Sequence, residues 1–206
     1  ACRSTDDGQA WSPAELVTID PLGGVLDFGT HTLSDGSIFL HASTIELVQA
    51  DDVAHGTSFV ARWGIPFWVR SRDDGYTWTQ PVRFPPLPDA VWGHPASCSG
   101  VCRSGLLALP DGRLLMPSKA TDNADGAQPH FGILRVSDDL GETWSYGGRI
   151  VEDPETHFSE PAIHMTPGGR IIVLYRRHPM RNRRGWGTLG LVESSDEGES
   201  WSTWRP

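Results

Sequence analysis

Charged residues occupy matched positions on either side of three similar turn sequences. The turns are centred on Asp35, Asp111 and Gly168. Eight places before them stand Asp27, Arg103 and Glu160, and eight places after them stand Ser43, Lys119 and Arg176. A position kept only for folding would hold the same residue in every copy, whereas these positions differ in type and are mostly charged. The pattern therefore indicates a binding pocket rather than core, because charged side chains are rarely buried without partners.

The elements that would position these residues are marked by a repeated octapeptide. Its form is S-x-D-x-G-x-[T/S/A]-W, and its four copies begin at Ser4, Ser71, Ser137 and Ser194. An aspartate accepts hydrogen bonds from backbone amides a few residues ahead, and a glycine supplies a positive φ without steric cost. The octapeptide therefore predicts a hairpin corner whose tryptophan covers the sheet. We assign its aspartates and tryptophans to the fold and not to an active site.

Between the octapeptides, apolar and β-rich runs flank the three turns of the first pattern. A turn such as Asp-Gly between hydrophobic runs favours a hairpin. Further apolar runs precede and follow the octapeptides, so each repeat predicts four short antiparallel strands, the unit of a β-propeller blade. The predicted fold class is all-β, with blades over roughly residues 12–84, 91–151 and 158–206.

The octapeptides resemble the Asp-boxes of the sialidase (neuraminidase) superfamily, and they are called Asp-boxes from here on. The stretch FSEPAIHMTPGGRIIVLYR at residues 158–176 is similar to a sialidase blade opening. The resemblance covers essentially the whole chain and implies a β-propeller, six-bladed in the family, of which about three blades are present in these 206 residues. A half ring would expose blade edges, so we expect self-association or the remaining blades of a longer chain as partners.

The resemblance also implies a catalytic apparatus: an arginine triad that holds the substrate carboxylate, a Tyr–Glu pair as nucleophile and base, and an acid/base aspartate. A tyrosine nucleophile is the known exception among glycosidases, and the planar fork of arginine matches a carboxylate. Glu160 matches the glutamate of the pair, and Arg176 matches the triad arginine that follows it. The matched positions around the three turns add Arg103, Lys119 and Asp27 to the substrate-binding set, and Arg103 stands where a triad arginine could also lie.

Two parts of that apparatus match less closely. Arg103 precedes Ser-Gly instead of the Ile-Pro usual in the family. The acid/base role falls to Asp122 or Asp125 in the loop after the second hairpin, whose spacing departs from the family pattern. None of the three tyrosines, Tyr76, Tyr146 and Tyr175, matches the nucleophile, since one lies in an Asp-box and two lie in predicted strands.

Composition excludes several other classes of protein. The 17 basic and 26 acidic residues give a net charge of −9, which argues against a nucleic-acid partner. No apolar run approaches the roughly 20 residues that span a bilayer, so no membrane segment is expected. The N-terminus is polar and acidic and lacks the apolar core of a signal peptide. The sequence does not determine where the protein is located, and secreted and periplasmic locations both stay open.

Cysteine and histidine give no indication of a metal centre or cofactor. The three cysteines are Cys2, Cys98 and Cys102, without a CxxC pair. The spacing of Cys98 and Cys102 permits either a local disulfide or two buried thiols. The eight histidines include no HExxH motif or tight cluster, so we expect neither a metal nor a cofactor.

The functional expectation that follows is a sialidase-like glycoside hydrolase acting on a glycan with a terminal anionic sugar such as sialic acid. The chain by itself is expected to turn over weakly or not at all, because catalytic elements act as a unit. The alternatives are a non-catalytic carbohydrate- or protein-binding Asp-box propeller, and a ring-forming structural module that associates through its blade edges.

Overall fold

The computed structural model describes residues 1–18, 24–49, 59–63, 66–87, 105–120, 130–182 and 187–206. These residues form twelve strands in three antiparallel sheets and contain no α-helix. The twelve strands are β1 (Gly24–Thr32), β2 (Ile38–Gln49), β3 (Phe59–Trp63), β4 (Phe67–Ser71), β5 (Val82–Arg83), β6 (Leu107–Ala108), β7 (Leu114–Ala120), β8 (Phe131–Ser137), β9 (Ser145–Val151), β10 (Thr156–Met165), β11 (Ile171–Pro179) and β12 (Thr188–Ser194). The fold is therefore all-β, as the sequence predicts. None of the described helical segments is long and apolar enough to span a bilayer.

The second sheet has the predicted blade order of β6-β7-β8-β9. The first sheet follows β1-β2-β4-β5 and gains β3, because the long strand β2 pairs with β4 along its first half and with β3 along its second. The third sheet is β10-β11-β12, and a bridge between Leu191 and Arg205 marks the start of a fourth strand position. Strand β10 begins at Thr156, two residues before the predicted start of the third blade.

The hydrophobic core lies between successive sheets, as in adjoining propeller blades. Side chains of the first and second sheets meet in one buried cluster, in which Phe39 and Phe84 pack against the Trp144 ring with centroids 5.7 and 5.5 Å away. A larger cluster joins the second and third sheets, centred on Phe158, Val173 and Tyr175. Each sheet is packed against the next because its apolar face is buried in one of these two clusters.

Each Asp-box forms the predicted corner. In all four copies the serine hydroxyl donates to the aspartate at 2.7–2.8 Å and accepts the glycine N–H at 2.8–2.9 Å. The aspartate also accepts a backbone N–H four residues ahead at 2.8–3.0 Å. These bonds hold the pKa of Asp73 and of Asp196 at about 2, chiefly through the hydroxyls of Thr77 and Ser200. The aspartates are thus occupied by the turn, which agrees with their assignment to the fold.

Candidate functional site

Glu160, midway along β10, forms an ion pair with Arg176 on β11. The Nε of Arg176 lies 3.2 Å from Oε2 of Glu160. The strand register opposes Arg176 to Ser159, which places it beside Glu160. Both side chains reach solvent, with 32% of Glu160 and 49% of Arg176 exposed, so a ligand can reach both groups of this pair.

A bulge in β10 turns Glu160 out of the regular strand. Ser159 opposes Arg176 and Ala162 opposes Leu174, so Glu160 and Pro161 together face the single residue Tyr175. Bulges of this two-against-one kind re-aim side chains and are common beside active sites. The bulge explains how a carboxylate on one strand meets the guanidinium of the next strand.

The backbone at Glu160 is strained. Its φ is 50°, and among the described residues every other non-glycine residue with positive φ is the fourth residue of an Asp-box. The proline ring of Pro161 further disfavours helical conformations at the residue before it. Such a conformation costs about 1–3 kcal/mol, whereas an exposed ion pair returns only about 0–1 kcal/mol. The Arg176 contact does not offset the strain, so Glu160 is held in place by the surrounding sheet.

The same bulge recurs in β1 of the first sheet. Leu26 opposes Ser43 and Gly29 opposes His41, so that Asp27 and Phe28 together face Ala42. Asp27 is thus the register equivalent of Glu160, and the sequence alignment of the two repeats agrees with their strand pairing. The Asp27 side chain lies outside what the structure describes.

The partner position of Arg176 also recurs in the second sheet. Lys119 on β7 opposes Gly132 on β8, and Arg176 on β11 opposes Leu189 on β12. Gly132 and Leu189 each stand five residues before the serine of their Asp-box. Lys119 is partly buried. The three acid/base and cationic candidates Arg103, Asp122 and Asp125, and the cysteines Cys98 and Cys102, lie outside the described residues.

The neighbouring arginine has a different role. The guanidinium of Arg177 lies over the Trp204 ring, 4.8 Å from its centroid, and its Nε donates to the Leu189 carbonyl at 3.4 Å. Arg177 therefore stabilises the packing of the third sheet, whereas Arg176 meets the strained carboxylate.

None of the three tyrosines places a solvent-exposed hydroxyl next to Glu160. Tyr76 lies in the second Asp-box, where the guanidinium of Arg3 stacks on its ring at 4.3 Å. Tyr146 packs against the core from β9. Tyr175 faces the Glu160 bulge but is fully buried and packs tightly on Gly132, where an added Cβ would lie 2.3 Å from its Oη.

Sequence reasoning missed two features of this region. One is the backbone strain at Glu160, for which the Glu-Pro dipeptide is a weak signal because proline restricts the residue before it. The other is Phe28, which is 60% exposed in the equivalent bulge of β1. Within the described ranges, no group of three or more His, Cys, Asp or Glu residues is placed to hold a metal ion.

Comparison with known proteins gives one family match and one curated relative. A family model described as a BNR repeat-like domain matches residues 52–206. A sialidase from Paraclostridium sordellii is 26% identical over 213 residues, which cover 100% of this chain and 50% of that protein. The chain therefore spans about half the length of the curated relative that it matches.

Two solved structures share the fold. A protein of unknown function from Dyadobacter fermentans DSM 18053 superposes with a TM-score of 0.80 at 24% identity, over 99% of this chain and 56% of that one. A variant of the NanB sialidase from Streptococcus pneumoniae superposes with a TM-score of 0.67 at 14% identity, over 99% of this chain and 46% of that one. The three sheets thus correspond to consecutive blades of a β-propeller.

Proposed function

Because the chain belongs to the BNR repeat-like domain family, we propose that it forms part of a sialidase-like glycoside hydrolase that removes a terminal anionic sugar such as sialic acid. The observation that carries the proposal is the strained, solvent-accessible carboxylate of Glu160 held 3.2 Å from Arg176. Strain of this kind concentrates at functional sites. The curated relative described as a sialidase supports the same class of reaction.

In this proposal Arg176 binds the carboxylate of the sugar. Its planar fork can donate two parallel hydrogen bonds to such a group. Glu160 then acts as the base that accepts a proton from the attacking hydroxyl. The substrate-binding roles of Arg103, Lys119 and Asp27 and the acid/base role of Asp122 or Asp125 belong to the same proposal.

A second candidate function is binding of an anionic glycan without turnover. The position of the tyrosines favours it, because Tyr76 lies in an Asp-box, Tyr146 packs on β9, and Tyr175, which opposes the Glu160 bulge, is fully buried. Even where no tyrosine hydroxyl of this chain is available to Glu160, Arg176 can still hold a carboxylate. The curated relative is about twice as long as this chain. We propose that turnover occurs in the whole protein.

The experiment measures release of a fluorescent phenol from a sialoside and equilibrium binding of sialic acid by the same protein. Arg176→Ala is expected to weaken binding at least tenfold, and Glu160→Gln to abolish any turnover while it retains binding. The matched control is Arg170→Ala, which breaks another 3.2 Å ion pair of the third sheet, with Glu193. Binding with no turnover by the whole protein would select the second candidate, and neither binding nor turnover by the whole wild-type protein would contradict both.

A further inference from the structure

An aromatic ring stands exposed in the bulge of β1. Phe28 is 60% exposed, although its register equivalent in β10, Pro161, is buried. Both bulges interrupt the first strand of a sheet at the same distance from its turn. The two bulges therefore present different groups. The bulge of the third sheet presents the Glu160 carboxylate, followed by the buried ring of Pro161. The bulge of the first sheet presents the exposed phenyl ring of Phe28.

The exposure of Phe28 is local to this strand end. Val25, three residues earlier, has 36% of its surface accessible. A single exposed apolar residue is ordinary on a protein surface, but Phe28 stands in the bulge that is the register equivalent of the Glu160 bulge. The blades of a β-propeller stand around a central channel, so the equivalent bulges on the first strands of the first and third sheets border that channel.

We propose that Phe28 is a specificity-determining residue that packs against the apolar C–H face of the sugar bound by Arg176. This inference rests on the proposed function. A pyranose carries its hydroxyls at the rim and carbon-bound hydrogens on its faces, and an aromatic ring buries such a face while contributing no charge. Arg176 supplies affinity for the carboxylate, and Phe28 discriminates by the shape and apolar area of the rest of the sugar.

The test is the dissociation constant of sialic acid for four proteins: wild type, Phe28→Ala, Phe28→Trp and Tyr76→Ala. Partial burial of one aromatic side chain corresponds to on the order of a tenfold change in binding. Phe28→Ala is therefore expected to raise the dissociation constant about tenfold, and Phe28→Trp to restore it. Tyr76→Ala removes an equally exposed ring from an Asp-box and is expected to leave binding unchanged.

The outcomes separate this inference from the function on which it rests. If Phe28→Ala binds like wild type while Arg176→Ala loses binding, the role of Phe28 is wrong and the proposed function stands. If wild type binds no sialic acid and cleaves no sialoside, both fail. Thermal unfolding of each variant identifies any folding defect. A Phe28→Trp variant that is as stable as wild type but binds as weakly as Phe28→Ala would also overturn the inference.

Discussion

The guanidinium of Arg70, at the end of β4, donates to the carboxylate of Glu142 at 2.8 Å and joins the first sheet to the Asp-box of the second. Arg70 also donates to the Leu140 carbonyl of that box, and its side chain is only 2% exposed. Arg113 repeats the arrangement one sheet further on, where it contacts Glu197 and Glu199 of the last Asp-box. The third and fourth Asp-boxes are thus each contacted by an arginine of the preceding sheet.

The first prediction concerns this contact. Arg70→Ala is expected to lower the free energy of unfolding by about 2–3 kcal/mol, because it removes a buried side chain and leaves the Leu140 carbonyl without its donor. Arg72→Ala is the control: Arg72 binds the same Glu142 at 2.7 Å but is mostly exposed, so its loss should cost less than about 0.5 kcal/mol. Urea unfolding measures both, and equal losses would contradict the prediction.

The second prediction tests the packing beneath the site. Gly132→Ala is expected to destabilise the protein by about 2–4 kcal/mol, because the new Cβ would lie 2.3 Å from Oη of Tyr175 and 2.8 Å from Val151. Gly168→Ala has open space around its Cβ and should be neutral or slightly stabilising. Denaturant midpoints compare the two, and a tolerated Gly132→Ala would show that Tyr175 can move away.

The third prediction tests the backbone strain at Glu160. A left-handed φ suits glycine, so Glu160→Gly should be more stable than Glu160→Ala by about 1 kcal/mol. At Ser159, which has no positive φ, the order should reverse because glycine is the more flexible residue in the unfolded chain. Thermal and urea unfolding of the four variants decide the matter, and the same order at both positions would rule out local strain.

The fourth prediction is a loss of stability in acid. The pKa of Asp73 and of Asp196 is lowered to about 2 in the folded protein, first by a hydroxyl hydrogen bond. A depressed carboxyl pKa stabilises the fold above the unfolded pKa near 4, and that contribution is lost as pH falls from about 4 to about 2. Melting temperatures across this range should fall for wild type.

Ser200→Ala is the matched variant for this pH dependence. It removes the hydroxyl that donates to Asp196, so carboxyl NMR titration should show the pKa of Asp196 moving up toward its ordinary value. The acid-induced loss of stability should then become smaller. An unchanged titration curve would mean that the backbone amides of the turn and the Ser194 hydroxyl set this pKa without Ser200.

The fifth prediction concerns association. Trp11 of the first Asp-box is 64% exposed, whereas Trp144 of the third is buried between sheets. We propose that the first box meets a further blade, either in a longer chain or in a second copy. Sedimentation of this chain should then show concentration-dependent association that Trp11→Ser weakens, and a monomer at every concentration would contradict association between copies.

Much of the fold was predictable because its signals are local. The serine, aspartate and glycine of an Asp-box bond to one another within four residues, so every copy forms its corner wherever it stands. The alternation of apolar runs and turns predicted the all-β class and the order of strands in the second sheet. The extra strand β3 was not predictable, since it depends on how far β2 extends beyond its first partner.

The candidate site was predictable only in part. The repeat alignment selected Glu160 and Arg176, because equal spacing from a turn gives equal strand register. It did not indicate that Glu160 adopts a positive φ or that Phe28 is exposed, and the roles of both residues stay predictions.

The amino-acid sequence by itself determined the repeated corners and the hairpins, because their hydrogen bonds join residues only a few places apart. The tertiary structure decided the contacts between sheets, such as Arg70 with Glu142, which are 72 residues apart. It also decided the bulge that aims Glu160 at Arg176. Such contacts depend on the packing of whole sheets, and neither residue type nor spacing along the chain specifies which distant faces will be buried together.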